Sequence, residues 1–469
     1  MKSSGKKIRA LVFFDNDKGR DVELLMPLLY YAEKYLDIET ENAFIFDIDK
    51  IRRYNPDLVI LPNTIGSKNH FLISKYAHEN GIKVFALVSE GNFRTDGTFD
   101  YWGYNTDRKF YQEYICLWSE RTVDFLRKEL PGYADKIVLT GATYFDRFKI
   151  YRFESRESFL KRYKLQHFRK VIGYAGWAFG KLYTPIGRME MAAYFKENTE
   201  EKFRWMKEQQ HKVEAILRQA IENNPDILFI LKRHPNEIHP HYTQPDNNEM
   251  VRLAEYRNVL YLRNEEDVHT LINVADIWTA FESTTVIEAW MMKNIPTLFI
   301  NPDPAFNRDM NYQGTVITRT YRDFQNYIDE YYATGQIKDF KTSARKEARK
   351  KIIQNVIGFA DGMNHIRAGY YLEKTIENIQ PGKKTKVKPK LLYLLRYLLL
   401  QTGRHFYSEK IFLRLPKFKK TVWIFKRFRL ENIPKLKTQY WPYLEAFHKK
   451  NRIEAKRKNA EFFRDLFRF

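Results

Sequence analysis

A chain of 469 residues, 44% of them hydrophobic and 16% aromatic, has apolar material for two to four packed domains, which excludes global disorder. Its single cysteine, Cys116, excludes an intramolecular disulfide and a cysteine-based zinc site, a usage that fits a reducing cytoplasm. The formal net charge of +22 is concentrated: residues 383–469 hold 25 Lys and Arg against 6 Asp and Glu, a balance of +19, so residues 1–382 carry only +3. The body is therefore an ordinary near-neutral globular protein and the basic character belongs to a tail.

In chain order, the first apolar run is short. After a basic start it extends from Ala10 to Phe14 before Asp15 interrupts it, which reads as a first strand (8–14) and not as a signal peptide. Further strand-like runs follow at 42–48, 57–62, 83–90, 114–119 and 136–141, with amphipathic helical patterns at 22–35 and 70–80. Continuous apolar strands separated by helices predict a parallel sheet covered on both faces. A charged helical connector at 154–163 closes this first cycle.

The cycle then restarts. Strands are predicted at 170–176, 226–233, 258–263, 275–281 and 295–301, with helices at 200–223, 268–274 and 284–292. After about residue 340 the chain is helical and basic, and 380–390 is a Pro-, Gly- and Lys-rich linker. The remainder is aromatic, basic and helix-prone. Its most apolar run, 391–400, is about ten residues long against the ~18–20 of a membrane span, and holds Arg396. The fold expected is two Rossmann-like α/β domains, residues 1–165 and 166–380, facing a cleft where ligands meet strand C-termini, followed by a basic helical tail over 381–469.

Three segments carry candidate chemistry. In "LFILKRHPNEIHP" (228–240) an apolar strand ends in Lys232, Arg233, His234 and Pro235. Pro235 stops the ladder and holds His234 extended, so the imidazole is placed to donate to a phosphate oxygen at the strand end. The plainer alternative is a strand end capped by solvated charges. In "FESTTVIEA", Ser283, Thr284 and Thr285 sit at a strand-to-helix junction, where free N–H groups and the helix dipole favour an anion. Thr285 and Glu288 also have capping-box spacing, which is a purely local alternative. In "VSEGNFRTDG", a loop after a strand carries Glu90, Gly91 and Asp96, carboxylates where a general base would stand; an ordinary acidic turn is the alternative. No Walker, Rossmann glycine, HExxH or CxxC motif is present.

The order of an acidic glycine loop, a His-Pro after a strand and a Ser/Thr cluster opening a helix resembles bacterial GT-B glycosyltransferases that use CMP-activated sugars. These include sialyltransferases, Kdo transferases and surface carbohydrate or capsule biosynthesis proteins. "VLTGATYFDRF" (138–148) is similar to the Gly-x-x-x-x-Asp stretch that closes their first domain. The resemblance implies a GT-B fold with an acceptor-side first domain and a nucleotide-sugar second domain. It implies inverting transfer of a sugar acid (Kdo, or a nonulosonate such as sialic, pseudaminic or legionaminic acid) from a CMP-sugar to a glycan, with no metal or other cofactor. His234, Ser283 and Thr284 would then bind the nucleotide phosphate, with Lys232, Arg233, Pro235, Thr285, Glu288 and Gly176 of the "GYAGWAFG" loop around it. The family pattern has two acidic residues before the glycine, whereas Ser89 precedes Glu90 here, so the base is Glu90 or Asp96. CDP-glycerol- or ribitol-type polyol phosphotransferases look similar in the second domain.

The +19 tail suits an anionic membrane surface, where a lipid-linked glycan acceptor would be met. That places the chain in the cytoplasm, peripherally associated with the inner face of the cell membrane. A non-enzymatic nucleic-acid-binding protein is the rival class. The nearly neutral body disfavours it, since no basic groove is then needed.

Overall fold

The computed structural model describes residues 7–17, 19–63, 68–91, 109–195, 197–237, 247–263, 265–305, 311–380, 386–406, 422 and 429–468. Two six-stranded, all-parallel sheets carry the fold, and helices connect their strands. The first is built from β1 (Ile8–Phe14), β2 (Ile38–Phe44), β3 (Leu58–Leu61), β4 (Lys83–Ala86), β5 (Ile115–Leu117) and β6 (Ile137–Leu139), in the spatial order β2-β1-β3-β4-β5-β6. The second contains β7 (Lys170–Ala175), β8 (Ile227–Lys232), β9 (Val259–Leu262), β10 (Ile277–Ala280), β11 (Thr297–Ile300) and β12 (Val316–Thr318), ordered β12-β11-β10-β7-β8-β9. The expected architecture of two Rossmann-like sheets with a helical C-terminal region is what the chain adopts. The central strands are predominantly apolar because both of their faces are covered: every residue of β3, β8, β10 and β11 is buried, Lys232, Thr279 and Thr297 included.

Two edge strands depart from the sequence expectation. The second strand spans Ile38–Phe44, not 42–48. It pairs only with β1, from Ile8 opposite Ile38 to Phe14 opposite Phe44, so Glu39 to Asn42 can stay polar on an open edge. The apolar residues Ile45, Phe46 and Ile48 that suggested a later start are buried in the turns that follow. The short edge strand β12 was not anticipated, because three residues give too little periodicity to read.

The chain divides into two compact units, Met1–Tyr151 with Gln354–Phe469, and Arg152–Ile353. Sequence patterning alone puts the boundaries at 165 and 380. The connector helix Arg156–Arg162 belongs to the second unit, since Arg156 Nε donates to the Val274 carbonyl at 2.7 Å and Arg162 pairs with Glu266. The chain rejoins the first unit at Gln354. Asp146, the acid of the "GATYFD" stretch, caps the helix Asn364–Ile376 of the returning segment. It accepts from the backbone N–H of Asn364 at 3.0 Å and of His365 at 2.7 Å, and from His365 Nδ1 at 2.8 Å.

The tail is a packed part of that unit. On its helix Asn432–Lys450, Tyr440 stacks on Tyr151 with ring centroids 4.5 Å apart, and Trp441 meets Tyr30 edge-on at 5.6 Å. Among the described residues no helix is long and apolar enough to cross a membrane.

Candidate functional site

In the second unit all strands are parallel, so their C-terminal ends lie along one edge of the sheet. Lys232 pairs with Ala175, and Ala175 with Ala280, which puts the ends of β8, β7 and β10 in one row. His234 and the Ser283–Thr284 pair therefore follow strands two places apart, roughly 10 Å across the sheet. The loop after β7 lies between them.

At the end of β8 the solvated-charge alternative does not hold for Lys232 and Arg233, because both are buried. Lys232 Nζ donates to the Arg263 carbonyl at 2.9 Å, and burial lowers its pKa to about 8. The Arg233 N–H still belongs to the ladder, donating to the Leu262 carbonyl at 2.9 Å. His234 is half-buried, and its carbonyl accepts from Glu237 N–H as Pro235–Glu237 turn into a short 3-10 helix. Two buried cations thus end the strand, Lys232 anchored by its side chain, and the histidine comes after them.

At the end of β10 the capping-box alternative is overturned. Thr285 is the first residue of the helix Thr285–Met292, and its hydroxyl donates to Ser283 Oγ at 3.0 Å while accepting from Trp278 Nε1 at 2.9 Å. Glu288 points elsewhere and hydrogen-bonds the buried ring of His269 through Nε2. The N–H of Thr285 donates to Ser283 Oγ at 3.3 Å, and those of Val286 and Ile287 return to the carbonyls of Ser283 and Thr284. The amides of Ser283 and Thr284 make no hydrogen bond among the described residues, which leaves them as donors for an anion. Glu282, immediately before them, holds φ 51°, a left-handed conformation that costs a non-glycine residue on the order of 1 kcal/mol.

Gly176 permits close packing. A Cβ there would stand 2.5 Å from Met250 Cε, and its N–H is bonded to the Lys232 carbonyl at 2.9 Å. Beneath this loop sit two buried carboxylates that the sequence did not single out. Glu249 accepts from Tyr174 Oη at 2.8 Å and from Trp177 N–H at 3.2 Å; burial pushes its pKa up to about 7. Glu237 accepts from Gly180 N–H and from Asn248 Nδ2, and burial together with Glu249 raises it well above the usual carboxylate range. Trp177, Phe179, Phe281 and Trp205 form a continuous aromatic group, with neighbouring ring centroids 5.0–6.5 Å apart. No spacing rule links these four rings in sequence, since they come from three separate segments.

In the first unit, Glu90 lies in the loop after β4, and its Oε1 pairs with Arg20 Nη1 at 2.7 Å. Asp96 lies outside the described residues. Gly91 is not there for a special turn: a Cβ would stand 2.3 Å from the Trp118 ring, so glycine lets the loop pass over the indole. At the same strand edge is a polar cluster missed in the sequence. Asp15, directly after β1, is half-buried with its Oδ1 unpartnered among the described residues, and burial and then the neighbouring Asp21 raise its pKa well above the usual range. His70, on the helix Lys68–Glu79, is buried with no hydrogen-bond partner for either ring nitrogen among the described residues, and burial lowers its pKa to about 4. The readable signal was the acidic run Asp15-Asn16-Asp17 closing the first strand. His70 sits at an ordinary core position of its helix and gave none.

No protein-family model matches the chain, and no curated protein matches it. Solved structures do. A protein described as a UDP-N-acetylglucosamine 2-epimerase from Listeria monocytogenes superposes with a TM-score of 0.53 at 13% identity, covering 81% of this chain and 99% of the other. A further UDP-N-acetylglucosamine 2-epimerase gives 0.50 at 15% identity, with 80% and 98% covered. This likeness, with the two parallel sheets, defines the class: a GT-B-like α/β protein.

Proposed function

We propose that the chain is a nucleotide-sugar-dependent glycosyltransferase of bacterial surface glycan synthesis. The observation that carries the proposal is the pair of unengaged amides at Ser283 and Thr284, in one row with His234 at the edge of the second sheet. An anion held there receives two N–H donors, the helix dipole and the Ser283 and Thr284 hydroxyls, and His234 approaches from two strands away. The aromatic group at Trp177 and Trp205 supplies flat surfaces of the kind a nucleobase stacks on.

The donor in this reading is a CMP-activated sugar acid, Kdo or a nonulosonate, and the transfer is inverting. The acceptor hydroxyl loses its proton to Glu90 or Asp96 as its oxygen bonds to the anomeric carbon. The bond from that carbon to the CMP phosphate breaks, and the electron pair leaves with the phosphate. His234, Ser283 and Thr284 meet that developing charge. Because these groups neutralise the phosphate, turnover is expected to persist in EDTA, and complete loss on chelation contradicts the scheme. The acceptor is a glycan or a lipid-linked glycan, and the basic tail brings the enzyme to the anionic inner face of the membrane.

A second reading has its own support. Two solved structures that superpose with TM-scores of 0.53 and 0.50 are described as UDP-N-acetylglucosamine 2-epimerases, which favours a UDP-sugar in the same place. Thermal-shift titration with CMP, CDP, UDP and GDP separates the readings. Selective stabilisation by CMP is expected; UDP favours the epimerase-like reading, and CDP the polyol phosphotransferase. No stabilisation by any of the four contradicts a nucleotide site.

A further inference from the structure

The helix Leu391–His405 presents its faces in the reverse of the usual order. In a soluble protein the apolar stripe of a surface helix faces the core and the charged residues face water. Here the inward side carries an arginine and two tyrosines beside the buried Leu400, and most of the leucines are elsewhere. Arg396 Nη2 donates to Asn69 Oδ1 at 2.6 Å, its guanidinium lies 5.4 Å from the Phe46 ring, and Tyr397 lies under Arg53. Tyr393 packs edge-on to Tyr76 at 5.1 Å. The outward side carries Leu391, Leu392, Leu395, Leu398, Leu399 and, one residue past the helix, Phe406, each 47–72% exposed. Steps of three, four and seven residues place them in one stripe. Among the described residues the only other large hydrophobic side chain so exposed is Met189, so the apolar surface is concentrated on this helix.

Its inward contacts hold that orientation. The segment before it is fixed to the first unit by Tyr76 Oη donating to the Lys388 carbonyl at 2.6 Å and by Lys388 N–H donating to Asn80 Oδ1 at 2.8 Å. Lys390 pairs with Glu79 at 2.7 Å. The leucines therefore cannot be turned inward without breaking an arginine and two tyrosines out of their packing. Charge selects the partner. The helix starts behind the exposed Lys386 and Lys388 and lies within the segment whose balance is +19. With 15 residues it is about 22 Å long, too short to span a bilayer and suited to lying in its surface.

We infer that the Leu391–Phe406 face is a membrane anchor that inserts into the interfacial region of an anionic bilayer. The inference deepens the membrane part of the function proposed above and names the element that makes the contact. Electrostatic attraction by the basic tail draws the protein to the surface, and the leucine face then enters the headgroup–acyl boundary.

The test is co-sedimentation of the full chain with phosphatidylcholine vesicles with and without phosphatidylglycerol. Wild type is expected to bind the phosphatidylglycerol vesicles, and Leu395→Glu with Leu399→Glu to bind at least about tenfold more weakly. Both side chains are exposed, so the melting temperature should not change; Leu395→Ser with Leu399→Ser serves should the charged pair misfold. If wild type does not bind these vesicles, both the membrane reading and this inference fail. Should wild type and variants bind equally, the basic tail alone binds lipid and this inference fails while the membrane reading stands. Light scattering that shows a wild-type dimer, with monomeric variants that still bind vesicles, makes the face a contact between copies and overturns the inference.

Discussion

Glu249 is the residue whose chemistry is easiest to isolate. It is buried among Tyr174 Oη and Trp177 N–H, and burial raises its pKa to about 7, so the folded chain holds a proton that the unfolded chain releases near the usual carboxylate value. The folded state thus binds more protons between about pH 4.5 and 7, and this group's contribution to stability falls as pH rises through that window. Glu249→Gln keeps the carbonyl acceptor and removes the titration. Melting temperatures across pH 5–8 should show a flatter profile for the variant and a gain at pH 8 of on the order of 1 kcal/mol or more. An unchanged profile would mean that Glu249 stays ionised in the fold. Glu282 gives a second test at this scale: Glu282→Gly relieves the left-handed backbone and should stabilise by about 0.5–1 kcal/mol in a urea melt. The sequence showed which residues end strands and open helices, so His234, Ser283 and Glu90 were legible. What each side chain binds was not, because Lys232, Glu288 and Glu249 find partners 19–75 residues away in sequence.

Among elements, the tail helix Asn432–Lys450 is tied to the first unit by a buried hydrogen-bond chain. Asp146 holds His365, His365 Nε2 meets His448 Nε2 at 2.7 Å, and His448 Nδ1 meets Tyr35 Oη at 3.0 Å. Burial chiefly, with His365 and Lys34 adding to it, lowers the His448 pKa to about 2. The folded chain keeps this ring neutral while the unfolded chain protonates it near pH 6.5, so its contribution to stability is present above that value and is lost as pH falls below it. His448→Ala removes the partner of His365 Nε2 and of Tyr35 Oη and opens a cavity, a combined cost of about 2–5 kcal/mol. Limited proteolysis should then cut first within 432–450. A variant that melts with wild type would mean that the tail is held by its aromatic contacts and by polar contacts such as Lys437–Glu33 and Tyr440–Glu23, without the histidine chain. The tail's helices were readable from their pattern, but their docking was not. Composition shows 25 cations and many rings, and cannot show that Tyr440, Trp441 and His448 face inward.

At the scale of the whole molecule, two parallel sheets followed from apolar runs of strand length alternating with helical periodicity, since a strand covered on both faces is predominantly apolar. The return of the chain to the first unit at Gln354 did not follow, because a helix that crosses back has the same periodicity as one that stays. The central claim is that the second unit binds a nucleotide phosphate at the row formed by His234 and the Ser283–Thr284 junction. Its most direct test is calorimetric titration of CMP, and of UDP in parallel, into wild type, His234→Ala and Ser283→Ala, with a melting curve for each protein. Wild type should bind, preferring CMP. His234→Ala should weaken binding about 10–100-fold, the worth of a hydrogen bond to a charged group, with a stability change within about 0.5 kcal/mol. Ser283→Ala should weaken it less, because the amides and Thr284 remain. If His234→Ala binds as wild type does and melts several degrees lower, the histidine is a structural residue and the phosphate site is not where this account places it.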